Sequence, residues 1–329
     1  MSLPVLSFPL RIPIFQAPTG SIAGPELAAA VSAAGAVGAM ALTWTAPEVA
    51  AEYVRRVRAQ TPNPFLVNFA LAFPPTALPA ALEAGAPIIT FSWGDPAPYL
   101  PQVRAASAIV GIQVTNAAGA RYAAELGADF LICQGIEAGG HVQSTTPLWE
   151  LLPRVVQAAG NLPVVAAGGI GDGGGIARAL SLGAAAAMLG TRFVATRESG
   201  ADDDYKRRLV AATAGETALT VCFEGGWPYA AHRVLRNSTL ERWEAAGCPP
   251  VGQRPGEGDA VAATQDGRPI FRYEDTAPRT GMTGEIEAMC LYAGTSCEAI
   301  RDVAPAAEIV ARLWRECRSD PTFVAPASR

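Results

Sequence analysis

From the N-terminus to about residue 212, short apolar, β-branched runs alternate with Ala-rich stretches of helical periodicity. That alternation is expected of successive βα units. Runs near 12–17, 36–40, 65–70, 88–92, 109–114, 129–134, 163–167 and 186–190 predict eight strands. Their starts recur at roughly 20 to 35 residues, which suits a (β/α)8 (TIM) barrel of the α/β class. Gly35, Gly85, Gly127 and Gly183 each stand in a Gly-Ala pair just before a predicted strand, where glycine can take the left-handed conformation that stops a helix. The main rival is a doubly wound open sheet, which more commonly uses five or six strands.

Beyond 212 the texture changes to Gly, Pro and charge, and Asp266-Gly267 between two strand-like stretches predicts a hairpin. Helical patterns resume around 284–293 and over 305–317, and the chain is expected to fray through Pro321 and Pro326. The expected division is a barrel over 1–212, a substrate-side elaboration over 213–283, and C-terminal helices over 284–329 that complete the barrel domain and end in a frayed tail.

Composition narrows the function. A chain of 329 residues, 50% apolar and 17% charged, can bury a sizeable core. Its net charge of −5 gives no basic footprint, so a small-molecule substrate is expected rather than nucleic acid or a membrane surface. The leading segment has no basic start and is broken by Pro4, Pro9 and Pro13, a poor signal peptide, so a cytoplasmic protein is expected. Six scattered cysteines without a C-x-x-C pair read as buried, reduced thiols and argue against zinc. With only two histidines, His141 and His232, no multi-histidine metal centre can be assembled, and no metal is expected. The single lysine, Lys206, falls in a charged run that reads as a solvated helix face, which argues against Schiff-base and PLP chemistry.

Candidate chemistry sits at three strand ends. In such barrels phosphate is commonly held by the loops after strands seven and eight. The seventh predicted strand ends in AAGGIGDGGG and the eighth in MLGTRF. Gly168 and Gly169 remove side chains where a phosphate would approach main-chain N–H groups, and Gly190 and Thr191 add an amide and a hydroxyl. Gly169, Gly171 and Gly174 also satisfy G-x-G-x-x-G, but the next strand ends in Leu189 and Gly190, not in the acidic residue a dinucleotide fold needs. After the sixth strand, CQGIEAGGHVQ places Gly139 and Gly140 directly before His141, opening space for an imidazole at the barrel mouth. Unperturbed, such a ring titrates near pH 6.5 and can accept a substrate proton. His232 lacks this setting and reads as a surface or packing residue.

The segments IFQAPTGSIAGPELAAAVSAAGAVGAM, VNFAL, QGIEAGGH, AAGGIGDG and LGTRF, with the tail LYAGTS, resemble those of the nitronate monooxygenases, also called 2-nitropropane dioxygenases. The likeness spans nearly the whole chain. It implies FMN across the barrel mouth, with Ala17, Pro18 and Thr19 beside the isoalloxazine ring and Asn68 hydrogen-bonding it. The phosphate would sit on Gly168, Gly169, Gly190 and Thr191, with Gly139 and Gly140 nearby. His141 matches the family's base, which deprotonates a nitroalkane; the resulting nitronate is oxidised with O2 to a carbonyl compound and nitrite. Two departures stand out: Thr19 replaces a frequent Met, and Gln113 stands where several relatives end strand five with Lys. The reading allows a homodimer.

The EAGGH histidine also resembles that of NAD(P)H-dependent flavin reductases acting on quinones or enoyl thioesters. More distant alternatives are a flavin-free phosphate-ester barrel, a thiol mechanism through Cys133, and a non-catalytic binding protein.

Overall fold

The computed structural model describes residues 6–8, 10–227 and 229–323. Pro4, Pro9 and Pro326 lie outside the described residues.

Eight parallel strands form one sheet: β1 (Ile14–Gln16), β2 (Gly38–Ala41), β3 (Phe65–Ala70), β4 (Ile88–Ser92), β5 (Ile109–Val114), β6 (Phe130–Gln134), β7 (Val164–Ala167) and β8 (Ala186–Leu189). Neighbours follow chain order from β2 to β8, and β8 then pairs with β1. A parallel bridge from Phe15 to Val37 closes the ring. At this seam the Gln16 side chain extends the short ladder: its amide donates to Ala39 O at 2.9 Å and accepts from Ala39 N at 2.9 Å. The sheet is a barrel, not the open rival.

Helices α1 (Pro25–Ala33), α2 (Pro47–Gln60), α3 (Leu78–Glu83), α4 (Leu100–Ala105), α5 (Ala117–Glu125), α6 (Leu148–Ala159) and α7 (Gly173–Ser181) follow β1 to β7 in turn. After β8 come a single-turn helix, α8 (Thr191–Val194), then α9 (Asp203–Ala211) and α10 (Ser238–Ala245). The last helix, α11 (Ala306–Ser319), packs between α7 and α1 and so supplies the eighth outer helix of the ring. Gly35, Gly85, Gly127 and Gly183 all have φ between +77° and +96°, as their helix-stop role requires.

Each barrel strand is buried on both faces, which explains the nearly unbroken apolar runs of the sequence. Outward residues such as Ile14, Met40, Val67 and Leu131 pack under the helices. Inward residues, including Phe15, Leu66, Ile88, Phe130 and Val165, fill the lower barrel, which Leu6 and Phe8 join from the N-terminal segment. Gly111 makes room there, since a Cβ on it would meet the Phe130 ring at 2.3 Å.

The Asp266-Gly267 hairpin is present, with Ala260–Ala263 antiparallel to Pro269–Phe271. The helix expected over 284–293 is not. Only one 3-10 turn, Ile286–Ala288, forms, and the following residues run extended, with Tyr292 bridged to Val234. A short apolar run such as MCLYA cannot be assigned to helix or strand by periodicity alone. Lys206 is also not solvated: it is 6% exposed and donates to Ser199 O at 3.1 Å. Five of the six cysteines are buried as expected, while Cys248 is exposed.

Candidate active site

Strand alternation builds the floor of the site. Two residues beyond the inward apolar positions Leu66, Ile88, Gly111 and Ile132 stand Asn68, Thr90, Gln113 and Gln134, so the inner face turns polar toward the C-terminal ends of the strands. Asn68 donates to Thr90 Oγ1 at 3.1 Å. The Gln113 amide donates to Gln143 Oε1 at 3.0 Å and lies 3.4 Å from Gln134 Oε1. Gln134 in turn donates to His141 O at 3.2 Å and accepts from Gln143 N at 3.1 Å. Three glutamines thus tie the end of β5 to the loop that carries His141.

The glycine loops converge on one segment. Gly168 and Gly169 have φ of +109° and +68°. A Cβ on Gly169 would lie 3.3 Å from Thr295 Oγ1, and one on Gly139 would come within 2.4 Å of Gly294 N. Gly294 N donates to Thr191 Oγ1 at 3.0 Å. The turns after β7 and β8 therefore meet across Gly294–Thr295, and Gly190 also faces Ala17 and Thr19, whose side chains a Cβ there would meet at 3.4 and 3.5 Å. No described group accepts a hydrogen bond from the backbone N–H of Gly168, Gly169, Gly190 or Thr191. Unpaired backbone donors that are not freely exposed are costly unless an acceptor completes them. These four can hold an anion such as a phosphate monoester.

Gly140 and His141 form a two-residue strand antiparallel to His232–Leu235, with His232 opposite His141. The expectation that His232 stood apart is thereby corrected in part. It is fully buried, as a packing role requires, with Nδ1 3.0 Å from Ala230 O and Nε2 accepting from Phe223 N at 3.3 Å, yet its ring centroid is 5.4 Å from that of His141. The His141 imidazole stacks on Trp227 at 4.2 Å and meets Trp93 edge-on at 6.1 Å, with Tyr292 5.7 Å away. Burial, and then the nearby His232, push its pKa down to about 3. The ring is therefore neutral at physiological pH and a weaker base than a free histidine.

Burial pushes the Cys133 thiol up to about 12, which leaves a thiol mechanism without its thiolate. Among the described residues no group of His, Cys, Asp and Glu side chains is arranged to hold a metal ion, and no helix is long and apolar enough to cross a membrane. A cleft of about 350 Å³ lined by Tyr205, Arg208, Ile286 and Leu291 lies against α9, away from the strand ends.

The structure thus sets Gly139, Gly169 and Thr191 against Gly294–Thr295, places Gly168 beside Gly135 and Ala138, sets Ala17 and Thr19 beside Gly190, and links Gln113 to His141 through glutamines. Pro18 lies between Ala17 and Thr19, and among the described residues the Asn68 side chain donates to Thr90. Sequence reasoning missed Gln134, Gln143, Trp93, Trp227 and Gly294. Only Gly294 carried a signal, as the glycine of the LYAGTS tail.

A closed barrel whose strand-end loops offer unpaired amides and an imidazole defines a barrel enzyme acting on small molecules. The family model for nitronate monooxygenase matches residues 5–82 and 72–316. The chain is 35% identical to a nitronate monooxygenase of Pseudomonas aeruginosa, covering 94% of this chain and 97% of that one. It is 30% identical to a nitronate monooxygenase of Paraburkholderia phytofirmans, covering 93% and 92%. Among solved structures it is similar to a nitroalkane oxidase from Streptomyces ansochromogenes, with 29% identity, TM-score 0.76 and coverage of 94% and 96%. It is also similar to FabK from Thermotoga maritima, with 28% identity, TM-score 0.78 and coverage of 94% and 93%. The chain belongs to the nitronate monooxygenase family, a family of flavin-dependent oxidoreductases. This membership supports the oxidation of nitro compounds.

Proposed function

We propose that the protein is an FMN-dependent enzyme that oxidises alkyl nitronates, and more slowly neutral nitroalkanes, with O2 to a carbonyl compound and nitrite. The observation that carries this reading is the set of four unpaired backbone N–H groups at Gly168, Gly169, Gly190 and Thr191, beside a mouth that holds a neutral imidazole. Those amides, with Gly139 and Gly140 nearby, would hold the phosphate of FMN. Ala17, Pro18 and Thr19 would border its ring system, and Asn68 and Gln113 would supply polar contacts. When bound, the flavin takes the substrate's electrons and passes them to O2.

The chain's own residues set which form of the substrate reacts. His141 accepts the α-proton of a neutral nitroalkane at a ring nitrogen, but its lowered basicity makes this step slow. A preformed nitronate needs no such transfer, so its oxidation depends on His141 only for position. The aromatic rings around His141 exclude water from the reacting carbon. At that carbon one oxygen atom is gained, the C–N bond breaks and nitrogen leaves as nitrite, so that two nitronates and one O2 give two carbonyl compounds and two nitrites.

A second reading has one specific support. A 5-hydroxy-7a-methyl-1-oxo-octahydro-1H-indene-4-carboxyl-CoA dehydrogenase of Mycobacterium tuberculosis, whose name gives it a CoA thioester as substrate, is 35% identical over 71% of this chain and 65% of its own length. Anaerobic mixing with NADH or NADPH separates the two. Prompt bleaching of the flavin supports a nicotinamide-driven reductase, and an unchanged spectrum, with nitrite formed from a nitronate in air, supports the proposed reaction.

A further inference from the structure

Four large aromatic side chains stand together at the barrel mouth although their sequence positions are far apart. Trp44 follows β2, Phe73 follows β3, Trp93 follows β4, and Trp227 comes from the segment after β8. Trp44 and Phe73 meet at 5.3 Å, Phe73 and Trp227 at 5.4 Å, and Trp93 and Trp227 at 4.5 Å, all near edge-to-face.

Stability does not explain the cluster. Trp44 is 60% exposed, and none of the four rings belongs to the described hydrophobic cores. Phe73, Trp93 and Trp227 are half-buried and Trp44 is exposed. Leaving an indole in water forgoes the burial that would reward it, so such an exposed edge on an aromatic cluster at a site mouth marks a surface that something apolar covers. The patch is continuous with the site, because Trp227 itself stacks on His141 at 4.2 Å. The cation–π pairs of the described residues engage Tyr53, Trp149, Tyr273 and Trp314, so among them no cation is seated on these four rings. A flat apolar ring would find ring faces and edges there.

We propose that Trp44, Phe73, Trp93 and Trp227 are a recognition wall for the remote part of the substrate, and that this protein selects nitronates carrying an aromatic ring. The inference rests on the nitronate reading for its reaction but on the ring cluster for its selectivity.

The test compares, in the flavin-loaded protein, kcat/KM for the nitronates of 2-phenyl-1-nitroethane, 1-nitrohexane and nitroethane. The phenyl compound should exceed nitroethane by about 10- to 100-fold and also exceed the hexyl compound. Trp44→Ala, at an exposed position, should lower the phenyl-to-ethyl ratio by about 10-fold. Equal use of the three, a hexyl compound as good as the phenyl one, or an unchanged ratio in Trp44→Ala would overturn the proposal. Calorimetric titration with 3-phenylpropanoate and propanoate, planar anions shaped like nitronates, reads the wall without turnover. Tighter binding of the phenyl acid that weakens in Trp44→Ala upholds the wall even if no nitronate is oxidised, an outcome that would sink only the reaction. Equal binding of the two acids overturns the wall even if nitronates are consumed.

Discussion

The imidazole of His141 lies against the indole of Trp227, ring centroids 4.2 Å apart and planes 26° from parallel. This contact joins the barrel's sixth loop to the elaboration after β8. It also shields part of the ring from water, and that burial, with the nearby His232, lowers its basicity.

The first consequence concerns substrate form. His141→Asn should retain flavin and slow neutral nitroalkanes by about 10²–10⁴-fold, while preformed nitronates lose far less. Parallel steady-state assays on nitroethane and its nitronate check this, and an equal loss on both would remove the base role.

The second concerns acid stability. His141 has its pKa lowered from 6.5 to about 3, and His232 is lowered as well. Between those values the unfolded chain binds protons that the folded chain does not, so stability rises with pH across this window. The contribution is complete above about pH 6.5 and is lost as pH falls toward 3. Melting temperature should therefore drop on acidification from pH 7 to 4, with a shallower drop in His141→Asn; identical pH profiles for the two proteins would contradict the assignment.

The third concerns the glycine cradle. Gly169→Ala forces a side chain to φ +68° and places its Cβ 2.9 Å from that of Glu137. The left-handed strain alone is worth roughly 1–2 kcal/mol, and the shift it imposes displaces amides that the phosphate would use. Flavin content of the purified variant should fall at least about 10-fold, by the usual 1.4 kcal/mol per decade, while far-UV circular dichroism stays native. Gly140→Ala, at φ +74° but facing open space, carries the strain without the clash and should lose less flavin.

The fourth concerns the anchor of α8. Arg192 is 2% exposed, with its guanidinium paired to Asp302 at 3.2 Å, and Asp302 also holds Arg312 at 2.7 Å. Asp302→Ala strands a buried cation. Because Asp302 is itself 39% exposed, the expected loss is discounted to about 1–3 kcal/mol, read by denaturant unfolding.

Much of the barrel was legible because its strands are buried on both faces and its helices stop at glycine, signals that are local in the chain. The loops after β7 and β8 were legible for the same reason, since glycine at a strand end announces close backbone approach. The nearness of His232 to His141 was not legible, because the two are brought opposite each other only by a strand pairing that joins the elaboration to the sixth loop. The aromatic cluster was invisible for a related reason. Trp44, Phe73 and Trp93 each look like an ordinary loop residue until the parallel pairing of β2, β3 and β4 sets their C-terminal ends side by side. The segment after 284 was read as helix because its run of apolar residues carries no period, and pairing with His232–Leu235 decides its extended form.

The most direct measurement is nitrite release from ethyl nitronate by the flavin-loaded protein, in air and under argon. The account predicts sustained nitrite formation with O2 and its arrest without it. Absence of nitrite in air, from a preparation whose flavin NADH bleaches at once, would contradict it.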